Sequence, residues 1–180
     1  MECPRKKMGK NMSQYTHRKG KHAPTPFWVP RLFPFGTPNV LRYEVQFSPT
    51  AEYRHGDNYD GWNKLFGLDT TLWTPGNKGW SYMWAWRWLD GRIELAAYVN
   101  LPDGTHVANH VASIKPGHRI ELAIFFGDPI RFIARPQFGE ELRYAHPHGA
   151  PRTILSRTIG PWFGGVYPAP HDISIQLKRL

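Results

Sequence analysis

From residue 40 onward, apolar and polar side chains alternate with a period of two. Leu41, Tyr43, Val45 and Phe47 interleave with Arg42, Glu44 and Gln46, and Ile93, Leu95, Ala97 and Val99 interleave with Arg92, Glu94, Ala96 and Tyr98. The pattern recurs at Ile120, Leu122, Ile124 and Phe126, and at Ile173, Ile175 and Leu177. A β-strand sends successive side chains to opposite faces, so each stretch predicts a half-buried strand. The strongest stretch is Trp80, Tyr82, Trp84, Trp86 and Trp88, five rings at alternate positions. A helix would scatter them. The opposite face, Ser81, Met83, Ala85 and Arg87, is smaller and more polar, which favours an inward aromatic face.

Turn signals separate these runs: Thr74-Pro75-Gly76-Asn77, Asp90-Gly91, Pro102-Asp103-Gly104, Lys115-Pro116-Gly117 and Gly127-Asp128-Pro129. Residues 62–68 read as a short apolar strand, 49–61 and 136–150 as loops, 152–159 as a strand, and 161–170 as a rigid irregular crossing. The expectation is about eight to ten strands with no helix, four of them in a tight antiparallel meander from 80 to 126. Meandering strands with long crossings favour an all-β, antiparallel jelly-roll β-sandwich over an immunoglobulin sandwich.

Composition changes the picture at the front of the chain. Of 180 residues, 17 are Gly and 17 Pro, as a turn-rich β protein requires. Residues 1–22 carry seven cations (Arg5, Lys6, Lys7, Lys10, Arg18, Lys19, Lys21) against Glu2, a net of +6, while the remaining residues carry only +3. The basic character is thus predicted to belong to a tail, with too little apolar surface to order it alone. Residues 23–38 interleave five prolines with Phe27, Trp28, Val29, Leu32, Phe33 and Phe35. Proline excludes a helix and a central strand there. The expectation is an extended arm over 1–38, lying on its own domain or on a neighbouring subunit, and a sandwich domain over 39–180.

The single cysteine, Cys3, excludes an internal disulfide and a multi-cysteine zinc site. No signal peptide and no apolar run of about 18 residues is visible, so the sequence predicts no membrane span. A virion or cytoplasmic assembly fits these features.

Four segments stand together: WNKLFGL at 62–68, WRW at 86–88, GRIELAAYVN at 91–100 and FGGVYPAPHDISIQL at 163–177. In combination they resemble uncharacterised β-sandwich proteins encoded by bacteria and their tailed phages. The resemblance spans about 62–177. It implies a concanavalin-like jelly roll, the fold of lectins, sugar-binding modules and some polysaccharide lyases, and a virion-associated or glycan-contacting role.

Candidate chemistry is sparse. Trp80, Trp84, Trp86, Trp88, Trp162 and Tyr167 form the candidate glycan platform, with core packing as the alternative reading of the first four. The arm residues Arg5, Lys6, Lys7, Lys10, Arg18, Lys19, Lys21, Phe27, Trp28, Phe33 and Phe35 are candidate partner contacts, the cations towards nucleic acid or an acidic protein surface. Among the nine histidines, His106/His110 and His146/His148 are close pairs, yet no clustered carboxylate or cysteine completes a metal site. No metal or other cofactor is expected. His171-Asp172 reads as a brace for the 161–170 crossing. Glu94 and Glu121 read as solvent-facing. No paired-acid, nucleophile-elbow or phosphate-loop motif occurs. A lyase would have to draft Tyr98, His106, Arg87 and Arg92. The sequence therefore favours a non-enzymatic structural protein of a phage or viral particle, oligomeric through its arm. The alternative is a carbohydrate-binding module, and the third reading is a polysaccharide lyase.

Overall fold

A computed structural model describes residues 12–54, 61–71, 79–151, 153–164 and 167–180. They form two antiparallel sheets packed face to face. The strands are β1 (Ser13–His17), β2 (Pro24–Thr25), β3 (Leu32–Pro34), β4 (Val40–Phe47), β5 (Asn63–Asp69), β6 (Ser81–Leu89), β7 (Arg92–Asn100), β8 (His106–Ile114), β9 (Arg119–Phe125), β10 (Ile130–Pro136), β11 (Leu142–His146), β12 (Leu155–Ile159) and β13 (Ile173–Arg179). One sheet runs β11-β10-β9-β4-β13-β1-β2, the other β3-β12-β5-β6-β7-β8. The only helical element among the described residues is a short 3-10 turn at Pro49–Ala51. No helix among them is long and apolar enough to cross a membrane.

The alternating residues meet between the sheets. Leu41, Tyr43, Val45, Phe47, Ile120, Leu122, Ile124, Ile173, Ile175 and Leu177 face Phe66, Tyr82, Trp84, Trp86, Leu95 and Val99 in one core. Trp86 packs against Phe47, Tyr53 and Phe163, with ring centroids 5.0, 5.7 and 6.0 Å away. The indole N–H of Trp84 crosses to the opposite sheet and donates to the Ala123 carbonyl at 3.2 Å. The Asp90-Gly91 turn joins β6 to β7 with both residues at positive φ, 48° and 76°, as a two-residue hairpin matched to strand twist requires.

Three expectations need correction. The meander stops at β8: the Lys115-Pro116-Gly117 turn carries the chain into the other sheet, where β9 pairs with β4 and β10. Periodicity identifies a strand without naming its partner. The loop expected over 136–150 contains β11, an edge strand whose exposed Leu142, Arg143 and Ala145 hide its period. The basic tail becomes part of the sandwich from Ser13: β1 pairs with β13 over five residues, and only Tyr15 and His17 point inward. The 23–38 segment adds β2 to the edge of one sheet and β3 to the edge of the other. Its prolines thus sit only where a missing N–H is tolerated, and the arm from Ser13 on lies along its own domain. Arg5, Lys6, Lys7 and Lys10 lie outside the described residues, as does the turn signal at 74–77.

Candidate functional site

The inward direction of β6 decides the fate of the aromatic run. Trp84 and Trp86 have no exposed area, and Trp80 and Trp88 are half-buried against the core. A ring without an exposed face offers no stacking surface, so Trp84 and Trp86 leave the candidate platform. Trp162, 41% exposed, and Tyr167, 53% exposed, stay on the surface.

Trp162 is held by three devices. Its backbone exchanges two hydrogen bonds with Lys64 of β5, at 2.9 and 3.0 Å, so the 160–164 crossing continues the sheet edge beyond β12. Buried Asn63 pins the crossing from below: its side-chain carbonyl accepts from Gly164 N–H at 2.5 Å while its amide donates to the Tyr53 hydroxyl at 2.8 Å. The imidazole of His22 stacks on the indole, centroids 5.6 Å apart and planes within 9°, and is itself tied to the Phe163 carbonyl at 2.7 Å.

The Trp162 side chain borders a cleft of about 510 Å³ at the β12–β5 side of the six-stranded sheet. Phe27 and Trp28 wall one side, Met83 closes the floor, and Lys64, Asp69 and Arg157 supply the charges. Trp28 lies flat on Gly160, where an added Cβ would stand 2.0 Å from the indole, so only glycine admits the ring. The other side of Trp28 meets Tyr15 and Tyr43. Asp69 is the acid of the cleft and is fully engaged. One oxygen accepts from the Thr71 N–H and hydroxyl at 2.9 Å each, the other from Arg157 Nε and Nη2 at 3.2 and 3.1 Å. No carboxylate among the described residues pairs with Lys64, whose ammonium burial pushes below its ordinary pKa.

The same outer face continues across β6, β7 and β8. Its middle is small: Ser81, Met83, Ala85 and Ala96 are buried, and Asn100 donates to Ser81 at 2.8 Å. Long side chains stand around this floor. Arg87 lies 4.4 Å over the Trp62 ring and pairs with Glu94 at 2.7 Å. Tyr98 stacks on His106 with centroids 4.9 Å apart. The face thus brings Tyr98 and His106 together, while Arg92 lies at the far rim of the sandwich. Glu121 is on the outer face of the other sheet, between Arg42 and Arg135.

The remaining histidines divide. His110 bonds the Ser113 hydroxyl at 2.9 Å. His146 is buried among Trp80, Tyr82 and His148, with no partner among the described residues for either ring nitrogen, and burial followed by the His148 charge lowers its pKa. No group of three potential metal ligands occurs among the described residues. His171 and Asp172 brace neighbours other than the crossing: His171 meets the Thr50 carbonyl, and Asp172 holds Arg18 at 2.6 Å and the Lys19 N–H at 2.8 Å. Lys21, Phe27 and Phe35 are exposed, whereas Trp28 and Phe33 are half-buried against the core.

No protein-family model matches the sequence, and no curated protein does. Among solved structures, the chain is similar to a protein of unknown function from Saccharomyces cerevisiae, with 10% identity over 92% of this chain and 84% of that one and a TM-score of 0.48. It is also similar to scytalido-glutamic peptidase bound to a peptide-based transition-state analogue, with 9% identity over 93% of this chain and 64% of that one and a TM-score of 0.41.

Proposed function

We propose that this protein binds saccharide in the Trp162 cleft, on a sandwich of the concanavalin-like jelly-roll type. The observation that carries the reading is an exposed indole, braced from behind by His22, beside a cleft whose Asp69–Arg157 pair is fixed in place. An aromatic face offers area at small entropic cost, and a few placed polar groups orient the ligand. Asp69 already accepts four hydrogen bonds, so it serves as a fixed part of the wall. Calorimetric titration with a panel of neutral and acidic oligosaccharides tests this. At least one should bind, and Trp162→Ala should weaken it about tenfold, about 1.4 kcal/mol. No heat with any glycan, or an affinity indifferent to Trp162, overturns the reading.

A second reading, assembly into an oligomer or a larger phage-type particle, is supported by the exposed edge of the six-stranded sheet. There β3 leaves Leu32 and Phe35 uncovered beside Val29 and Ile154, Phe35 being 90% exposed. An open edge with apolar side chains is a pairing template. Sedimentation velocity should show self-association that Phe35→Ser with Ile154→Ser abolishes. A monomer at high concentration removes this reading without touching the first.

A further inference from the structure

A second cleft, of about 240 Å³, lies at the rim of the sandwich, between the start of β7, the β8–β9 turn and the end of β10. Its charged lining is one-sided. Arg92, Lys115 and Arg119 border it together with His118, and no carboxylate among the described residues does. Among the described residues, Arg92 and Lys115 make no ion pair or side-chain hydrogen bond. Arg119 reaches Glu44 only at 3.5 Å, longer than a charge-assisted hydrogen bond. Two unpaired cations and a third held only loosely by its acid, around one depression, focus a positive potential that an anion relieves. Phe138 adds a second property. It borders the same cleft with 68% of its surface exposed and stands 5.5 Å from the His118 ring. A phenyl ring has no hydrogen-bonding group, so what it offers a ligand is a face.

We propose that this rim cleft is a binding site for a phosphate carried beside a flat ring, the chemistry of a nucleotide. The phosphate lies among Arg92, Lys115 and Arg119, and the base stacks on Phe138. The volume admits about one nucleotide unit. This proposal is independent of the saccharide reading, since the two clefts share none of the described residues.

The test uses the full chain and three probes: inorganic phosphate, AMP, and a fluorescent single-stranded oligothymidylate of about eight nucleotides. Lys115→Gln should weaken the oligonucleotide about tenfold and reduce the slope of log affinity against log salt by about 1. Lys115→Arg should restore both. Phe138→Ala should weaken AMP and the oligonucleotide while leaving phosphate unchanged, because only the first two carry a ring. AMP displacing the oligonucleotide at similar concentration identifies a free nucleotide as the ligand, whereas far tighter oligonucleotide binding identifies a strand. No binding of either overturns the proposal. So does binding that is insensitive to Lys115 and Phe138, which would place the contact on the basic residues preceding Ser13. Loss on Lys115→Gln without any effect of Phe138→Ala reduces the site to a general anion patch and overturns the nucleotide assignment.

Discussion

The two sheets of this sandwich share an apolar interior, yet their outer faces are built on opposite principles. The seven-stranded sheet turns a lattice of long charged side chains outward. Arg42 and Arg135 converge on Glu121 at 2.7 and 2.5 Å, and Arg135 and Arg143 converge on Glu141. Hydrogen bonds from Arg42 and Arg135 hold the Glu121 carboxyl below the ordinary range. The six-stranded sheet instead places Gly67, Ser81, Met83, Ala85 and Ala96 in the middle of its outer face and larger groups at the margins. One arrangement gives a solvated surface. The other gives a floor with walls. Those small central side chains are already covered, at 0–2% exposed for Ser81, Met83, Ala85 and Ala96, and the Trp162 cleft opens at the β12–β5 side of that face.

The floor is the most sensitive element of this contrast. Gly67 on β5 lies so close to β6 that an added Cβ would meet the Tyr82 carbonyl oxygen at 2.2 Å and Met83 Cβ at 2.5 Å. Backbone cannot yield as a side chain end can. Gly67→Ala should cost about 3 kcal/mol or more, seen as a lower urea midpoint. A loss under about 1 kcal/mol would mean that the strands are not as tightly apposed as the contrast requires.

The second effect tests whether β1 belongs to the seven-stranded sheet. His17 points into the core, donates through Nδ1 to the His22 carbonyl at 2.9 Å, and finds no partner for Nε2 among the described residues. Burial lowers its pKa to about 4. The unfolded chain therefore takes up a proton as pH falls below about 6.5, while the native state resists until about 4. Stability present above pH 6.5 is lost across that window, by up to about 3 kcal/mol. Urea titrations at pH 7.5 and 4.5 should show it, and His17→Gln should flatten most of the difference. An unchanged slope would place His17 in solvent and detach β1 from the sheet.

The inward strands were readable because each buries one face for several residues running. The aromatic run also declared its direction, through the contrast with Ser81, Met83, Ala85 and Arg87. The strands β1, β2, β3 and β11 were not readable. They lie at or next to sheet edges and bury only one or two side chains each, too few to make a period. The site was half visible. Trp162 stood out as an aromatic in an irregular crossing, but Arg157, which closes on Asp69 of β5, lies on β12 far along the chain, and no local pattern links it to Lys64 and Asp69. One signal was present: Lys64 stands alone in the apolar run WNKLFGL, and a charge there has to face outward.

The smallest effects discriminate the two outer faces most directly, because similar ion pairs occur on both. Asp69 is only 5% exposed and satisfies Thr71 and Arg157 at once. Asp69→Asn removes the charge that Arg157 needs and keeps an oxygen for Thr71, so the cost should be about 2 kcal/mol and nearly independent of salt. Glu121→Gln breaks two contacts on the charged lattice, but these are open to water and screened, so the cost should stay under about 1 kcal/mol and fade in 0.5 M salt. Two double-mutant cycles, Asp69 with Arg157 and Glu121 with Arg42, separate the pair energies from other consequences of each change. A coupling clearly larger for Asp69–Arg157 means that the cleft side excludes water from its ion pair as the charged side does not. Equal couplings would make the two faces electrostatically alike and leave side-chain size as their only difference.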